Sequence, residues 1–452
     1  MRIVIVGCGK IGLSIVKQLI VEKHDITVID KNPEIVNDVT NNFDVMGYVG
    51  NGASYSVQNE AGVDEADLMI AVTGSDEINL LCCLFAKKAG NCSTIARVRD
   101  PLYSREIQYI KDELGLSMII NPEFAAATEI ARLLRFPSAD KIDTFAKGRV
   151  ELLNLVINED SPLADKTLID VSKRIMSDIL VCAVERGDGV FIPNGAFILR
   201  AGDKITIVAT EVNAREFFTK IGYDTHQVKD TMIIGGGKMT YYLAEALLKL
   251  GVRVKIVEQN REKCEDLSEI LPKATIINGD ATNQEVLLEE GINGCDSFVS
   301  LTGIDETNIF LSLFAKKYSN GKIITKIDRI AFDDIISTFN VGSLIYPDKI
   351  AADYIVSYVR AKQNSIGSSN VETLSKLNGG KVEALEFKIS KESPIVGKPL
   401  MNLNLKRDFL IGCINRNGKI IIPKGQSIIE AKDTVVVVTT KSGLSDIKDI
   451  LG

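Results

Sequence analysis

The stretch Arg2-Ile3-Val4-Ile5-Val6-Gly7-Cys8-Gly9-Lys10-Ile11-Gly12 decides the fold. Ile3 to Val6 is an apolar run that reads as a buried strand, and a glycine turn follows it. Ile11, Ile15, Leu19 and Ile20 then recur at helical spacing, and Ile26-Thr27-Val28-Ile29 makes a second strand that ends at Asp30. Strand, G-x-G-x-x-G, helix, strand and terminal acid are the parts of a dinucleotide-binding fingerprint. Gly7 permits the tight turn, Gly9 lets backbone approach a pyrophosphate, and Gly12 lets helix and strand pack closely. Unpaired N–H groups and a partial positive charge at the helix N-terminus suit phosphate. Asp30 is placed to accept hydrogen bonds from ribose hydroxyls, and its charge opposes a 2′-phosphate, so the pattern predicts NAD(H) over NADP(H).

Outward from this unit, strands and helices alternate up to residue 136. Strands are predicted at 45–49, 67–73, 94–98 and 117–120, with helices at 33–42, 54–61, 76–89 and 101–114. A last helix starts at Asn121-Pro122-Glu123. Such alternation gives a parallel sheet covered on both faces, with ligand across the carboxyl ends of its strands. Asn51, in Gly50-Asn51-Gly52, follows the third strand, and Thr73-Gly74 follows the fourth. Asp76, Glu77 and Asn79 open the next helix, and for the acidic pair helix capping with dipole compensation and ligand contact are both open readings. Arg97 and Arg99, two apart at the end of the fifth strand, form a fork suited to phosphate oxygens; the alternative is a surface ion pair.

Residues 137–148 read as a linker carrying Pro137 and Ser138, and a small α+β domain follows, with a hairpin turn at Arg186-Gly187-Asp188-Gly189. Then the programme repeats. Gly235-Gly236-Gly237-Lys238-Met239-Thr240 answers the first turn, Glu258 answers Asp30, Asp280 answers Asn51, and Thr302 answers Thr73. Ser161-Pro162 and Ile192-Pro193 return as Ser393-Pro394 and Ile422-Pro423. The predicted organisation is α/β: two Rossmann-like, doubly wound parallel sheets at 1–136 and 229–362, each followed by a linker and small α+β domain at 137–225 and 363–452. The second copy is less complete. Thr240 in place of the third glycine implies looser or shifted packing. Lys326 and Asp328 replace Arg97 and Arg99, which implies a site that is weak, altered in preference, or vestigial.

The bulk composition bounds the function. The 452 residues carry a formal charge of −7, which argues against a nucleic-acid partner. No apolar run nears the roughly eighteen residues of a bilayer-spanning helix, and no signal-peptide pattern is present, so a cytosolic protein is expected. Eight cysteines without C-x-x-C read as reduced, mostly buried thiols. Cys8 reads as a space-filling residue, although a helix N-terminus can lower a thiol pKa. His24 and His226, the two histidines, lie in no metal-ligand or general-base pattern. No catalytic constellation is evident, and nothing has the spacing of a metal site.

The two glycine turns, Thr73-Gly74-Ser75-Asp76-Glu77, Ala96-Arg97-Val98-Arg99-Asp100-Pro101 and Ile120-Asn121-Pro122-Glu123 together resemble the TrkA family, regulators of Trk-type potassium uptake built from RCK (KTN) domains. The resemblance covers essentially the whole chain in the order RCK-N, RCK-C, RCK-N, RCK-C. It implies binding of NAD(H), and often ATP or ADP, at Gly7 to Ile11, Asp30, Thr73, Gly74, Arg97 and Arg99. In the second copy the matching positions are Glu258, Asp280 and Thr302, while Thr240 and Asp328 depart. Asn51 departs from the family's usual aspartate. It further implies a homo-oligomeric ring, a tetramer, at the cytoplasmic face of a membrane potassium-translocating subunit of the TrkH/TrkG type. A soluble NAD-dependent oxidoreductase, and an RCK-type regulator of another cation transporter or channel, are the alternatives.

Overall fold

The computed structural model describes residues 1–452 except 91, 105, 138, 140, 146–149, 176, 224–227, 330–332, 340, 367–370, 378–380, 442–443 and 445. Two compact units result, one formed by Met1–Ala131 with Val228–Val356 and the other by Arg132–Gln227 with Ser357–Gly452. The chain thus passes through each unit twice.

The first unit holds two six-stranded parallel sheets. Strands β1 (Arg2–Val6), β2 (Asp25–Asp30), β3 (Met46–Val49), β4 (Leu68–Ala71), β5 (Ser93–Arg97) and β6 (Met118–Ile120) take the order β3-β2-β1-β4-β5-β6. The order reverses between β1 and β4, which opens a crevice at their carboxyl ends where Gly7 lies. Ile5 and Leu68 to Ala71 are fully buried, as expected for central strands covered on both faces.

The other sheets are built in the same way. Five antiparallel strands follow: β7 (Lys141–Phe145), β8 (Val150–Val156), β9 (Leu180–Arg186), β10 (Gly189–Phe191) and β11 (Lys204–Ala209), ordered β10-β9-β11-β8-β7. The second parallel sheet has β12 (Asp230–Ile234), β13 (Arg253–Glu258), β14 (Thr275–Asn278), β15 (Ser297–Ser300), β16 (Lys322–Lys326) and β17 (Ser343–Ile345), ordered β14-β13-β12-β15-β16-β17. Last come β18 (Val371–Leu377), β19 (Val382–Lys388), β20 (Phe409–Arg416), β21 (Lys419–Ile421) and β22 (Thr434–Thr439), ordered β18-β19-β22-β20-β21. In the second unit the two small domains share one core, in which Leu152, Cys182 and Val208 pack with Ala384, Cys413 and Val436.

Three sequence expectations change. The 137–148 linker contains β7, an edge strand whose Lys141 pairs Asn154 and whose Phe145 is buried. The helix expected over 101–114 is two helices, Pro101–Ser104 and Ile107–Glu113. The joining segment expected from Gln363 begins as helix, because Pro347–Ile366 is one continuous helix. No helix among the described residues is long and apolar enough to cross a membrane.

Candidate functional site

The two glycine turns have the same backbone. Gly7 and Gly235 take φ of +95° and +98°, which an L side chain rarely adopts. A Cβ on Gly7 would also lie 2.9 Å from the Thr73 backbone. Cys8 N donates to Asp30 Oδ2 at 2.8 Å, and Gly236 N donates to Glu258 Oε2 at 2.6 Å. The other oxygen of each acid accepts a second backbone N–H, from Asn32 at 3.0 Å and Asn260 at 2.7 Å. Each carboxylate therefore clamps its own turn to the end of the second strand. Cys8 is buried, and burial together with the Asp30 charge pushes its thiol up to about 12, so the space-filling reading describes it and the lowered pKa does not occur.

Asn51 and Asp280 close equivalent turns, their Oδ1 atoms accepting from Ala53 N at 3.1 Å and Thr282 N at 2.9 Å. The bonds from the Thr282 backbone and hydroxyl hold the Asp280 carboxyl below its ordinary range. Thr240, for which looser or shifted packing was expected, is fully buried and its hydroxyl donates to Gly235 O at 2.5 Å. The first copy's spacing does not admit a side chain there, since a Cβ on Gly12 would lie 2.0 Å from Gly7 O, so the second turn is shifted to take Thr240 and stays filled.

A cavity of about 580 Å³ opens at the carboxyl ends of the second sheet, between the two nucleotide-type domains of the first unit. From the second copy its walls include Gly235, Gly236, Gly237, Lys238, Met239, Glu258, Asp280 and Thr302. From the first copy they include Lys10, Ile11, Arg97 and Arg99. Gly7, Cys8, Gly9, Gly12, Asp30, Asn51, Thr73 and Gly74 are not among them. The sequence-predicted residues thus divide: the arginine fork and Lys10, assigned to the first copy's crevice, face the second copy's turn. The arginines that the second copy replaces by Lys326 and Asp328 thus stand beside its turn from the first copy.

Arg97 is mostly buried, and burial followed by the neighbouring Arg99 charge lowers its pKa from the ordinary guanidinium value. Its Nη2 donates to Thr73 O, while its Nε is buried without a hydrogen-bond partner. Arg99 Nη2 donates to Gly74 O at 2.7 Å, and its guanidinium stands 3.6 Å from Asp76 and 3.8 Å from Glu123. Lys238, Lys263 and Lys326 add further positive charge to the walls, opposed by Glu123, Glu258, Asp280, Asp328 and Asp348. Burial raises the pKa of both Glu123 and Asp348, and the Asp328 charge adds to the shift of Asp348. The raised pKa values of Glu123 and Asp348 lessen the negative charge that faces the cationic side chains of the cavity.

At the start of the Asp76–Ala89 helix, Asp76, Glu77 and Asn79 are all engaged by the protein itself, Glu77 by the hydroxyls of Ser75 at 2.7 Å and Tyr103 at 3.0 Å. Ser75 caps the helix by accepting from Ile78 N at 3.2 Å. Asp76 Oδ2 accepts from Arg99 N at 2.8 Å and Asp100 N at 2.9 Å. Asn79, fully buried, accepts from Thr73 N and Oγ1 at 2.8 Å each and donates to Arg97 O at 2.9 Å. Asp305 and Asn308 repeat these roles on Asp328 and Arg329 and on Thr302 and Lys326. Their recurrence at matching positions of both copies was the available signal. Glu123 and Asp348, which follow Pro122 and Pro347, were not expected to line a cavity. His24 is buried beside Glu22 at 3.7 Å, and His226 lies outside the described residues. Among the described residues no group of three or more His, Cys, Asp or Glu side chains is arranged to hold a metal ion.

Two family models match the chain, the TrkA-N domain over residues 3–122 and 231–347 and the TrkA-C domain over 152–222 and 384–452. The Trk system potassium uptake protein TrkA homolog 1 of Methanosarcina mazei is 30% identical, with 99% of each chain covered. A TrkA homolog of Archaeoglobus fulgidus is 31% identical with full coverage of both chains, and TrkA of Haemophilus influenzae is 30% identical over 100% of this chain and 97% of its own. In fold the chain is similar to the GsuK RCK domain, with a TM-score of 0.64 at 17% identity over 97% of this chain and 92% of that one. It is also similar to a GsuK channel bound to NAD, with a TM-score of 0.63 at 17% identity over 97% of this chain and 77% of that one. With all four of its domains matched and relatives of about 30% identity over its full length, the chain belongs to the TrkA family.

Proposed function

We propose that the chain is a nucleotide-sensing regulatory subunit of a Trk-type potassium uptake system. The observation that carries this reading is the cavity of about 580 Å³ in which one copy's glycine turn faces the other copy's Lys10, Arg97 and Arg99. Turn and helix N-terminus receive a diphosphate, Glu258 and Asp280 receive ribose or adenosine groups, and the three cations receive phosphate oxygens. NAD(H), ATP and ADP all fit that donor set. The first copy's crevice, with Gly7, Gly9, Asp30, Asn51, Thr73 and Gly74, takes a second nucleotide.

A ligand that bridges both domains favours the arrangement that brings the arginines to the turn, and it gates only through its different affinity for two arrangements. The nucleotide acts as signal and is not consumed, in keeping with a family of regulators. The chain assembles as a homo-oligomeric ring, a tetramer, on the cytoplasmic side of a membrane potassium-translocating subunit of the TrkH/TrkG type. The names of the relatives, Trk system potassium uptake proteins, support a place in potassium uptake.

Calorimetric titration with NADH, NAD, ATP and ADP tests the sensing step. Saturable binding without turnover is expected, and failure of all four to bind contradicts it. Nucleotide-dependent potassium flux on reconstitution with the membrane subunit tests the regulation.

A further inference from the structure

We propose that the two nucleotide sites are energetically coupled and that Asn79 is the positioning residue that couples them. The inference rests on the reading above that both crevices take nucleotide. Thr73 and Gly74 border the first copy's crevice, with the Thr73 backbone against Gly7. The carbonyls of these two residues hold the guanidinium groups of Arg97 and Arg99, which line the cavity at the second copy's turn. The Asn79 amide fixes both ends of this link. It accepts from Thr73 N and Oγ1 at 2.8 Å, and it donates to Thr73 O at 3.3 Å and Arg97 O at 2.9 Å.

A phosphate that draws the arginines into the cavity must lengthen or break their bonds to Thr73 and Gly74. Conversely, a ligand that orders the Thr73–Gly74 turn sets where the arginines stand. The glycine turn adds a second link, since Gly9 belongs to one crevice and Lys10, the next residue, lines the other cavity. Asn308 makes the same set of bonds, to Thr302 N at 2.9 Å, Thr302 Oγ1 at 2.7 Å, Thr302 O at 3.1 Å and Lys326 O at 3.0 Å. Thr302 and Lys326 both line the one cavity, however, so that amide acts within a single site. The relay through Asn79 alone spans two. Because binding linkage is reciprocal, each ligand alters the affinity of the other by the same factor.

The test titrates ADP into the full chain at several fixed NADH concentrations. The ADP dissociation constant is expected to shift about fivefold or more and the shift to saturate with NADH. Asn79→Asp keeps the size and the acceptor but loses both donors, and it is expected to cut the shift to about twofold or less, with ADP still bound when NADH is absent. Should that variant fail to fold, Thr73→Val, which loses the hydroxyl's bond to Asn79 together with its longer bonds to Ser75, is expected to reduce the shift in the same way. No shift, a shift that grows in proportion to NADH without saturating, or a saturating shift unchanged in the variants overturns the coupling. Absence of ADP binding in the unaltered chain overturns instead the reading on which the coupling stands.

Discussion

The Tyr242 hydroxyl donates to the Arg99 carbonyl at 2.9 Å, tying the helix after the second glycine turn to the segment that carries the first copy's arginines. The same hydroxyl accepts from Asn121 Nδ2 at 3.0 Å, and the Phe124 ring meets the Tyr242 ring edge-on at 5.5 Å. Nearby, Lys238 Nζ reaches Asp100 Oδ2 at 2.9 Å. These contacts hold the arginine fork at the second turn. Tyr242→Phe removes a buried hydroxyl from two partners and is expected to destabilise the first unit by about 1–3 kcal/mol, read from its unfolding transition, and to weaken ADP binding.

The third position of each glycine turn responds to substitution for different reasons. A Cβ on Gly12 would stand 2.0 Å from Gly7 O, so Gly12→Ala forces turn and helix apart at a cost of about 1–3 kcal/mol or more. Thr240 occupies the equivalent place with its hydroxyl bonded to Gly235 O. Thr240→Val leaves that carbonyl without the bond and is expected to cost about 1–3 kcal/mol. Thermal melts of the two variants check both values.

Glu123 and Asp348 give the first unit a pH dependence of definite sign. Burial raises both carboxyl pKa values, so the folded chain holds these protons more tightly than the unfolded chain. Their effect on stability is neutral below the ordinary carboxylate range of about pH 4. It becomes unfavourable as pH rises through the raised values. The double variant Glu123→Gln, Asp348→Asn is therefore expected to melt above the unaltered chain near neutral pH, with the difference shrinking toward acid. A difference that grows on acidification contradicts the assignment.

In the second unit the repeat preserves a buried ion pair. Arg186 Nε and Nη2 each reach the buried Asp203 at 2.7 Å, and Arg416 Nη2 reaches the buried Asp433 at 2.8 Å. Arg186→Met or Arg416→Met strands a buried carboxylate. Each arginine is partly exposed, which sets the expected loss at the lower end for broken buried pairs, about 3 kcal/mol, measured by denaturant unfolding.

Much of this architecture was legible because its signals are local. Period-two and period-3.6 patterns mark the strands and helices, Gly7 and Gly235 answer a demand for positive φ, and the repeat announces two copies of each domain. What the chain order hides is partnership between copies. Arg97 and Arg99 read as belonging to the first crevice because they end that sheet's fifth strand. Contacts across the copies, Tyr242 with Arg99, Asn121 and Phe124 and Lys238 with Asp100, accompany their approach to the cavity at Gly235. The bonding of Asn79 was equally hidden, since a polar residue in a first helical turn looks like a cap until its partners at Thr73 and Arg97 are placed. Strand β7 escaped notice because a short edge strand of mixed polarity lacks the alternation of a half-buried one.

The central claim, that the first copy's arginines serve the second copy's site, is tested most directly by calorimetric titration of ADP into the full chain and into its Arg97→Ala, Arg99→Ala double variant. Loss of two charge-assisted contacts predicts a dissociation constant raised by about tenfold to several hundredfold in a variant whose circular dichroism matches the unaltered chain. Unchanged ADP affinity in that folded variant contradicts the claim.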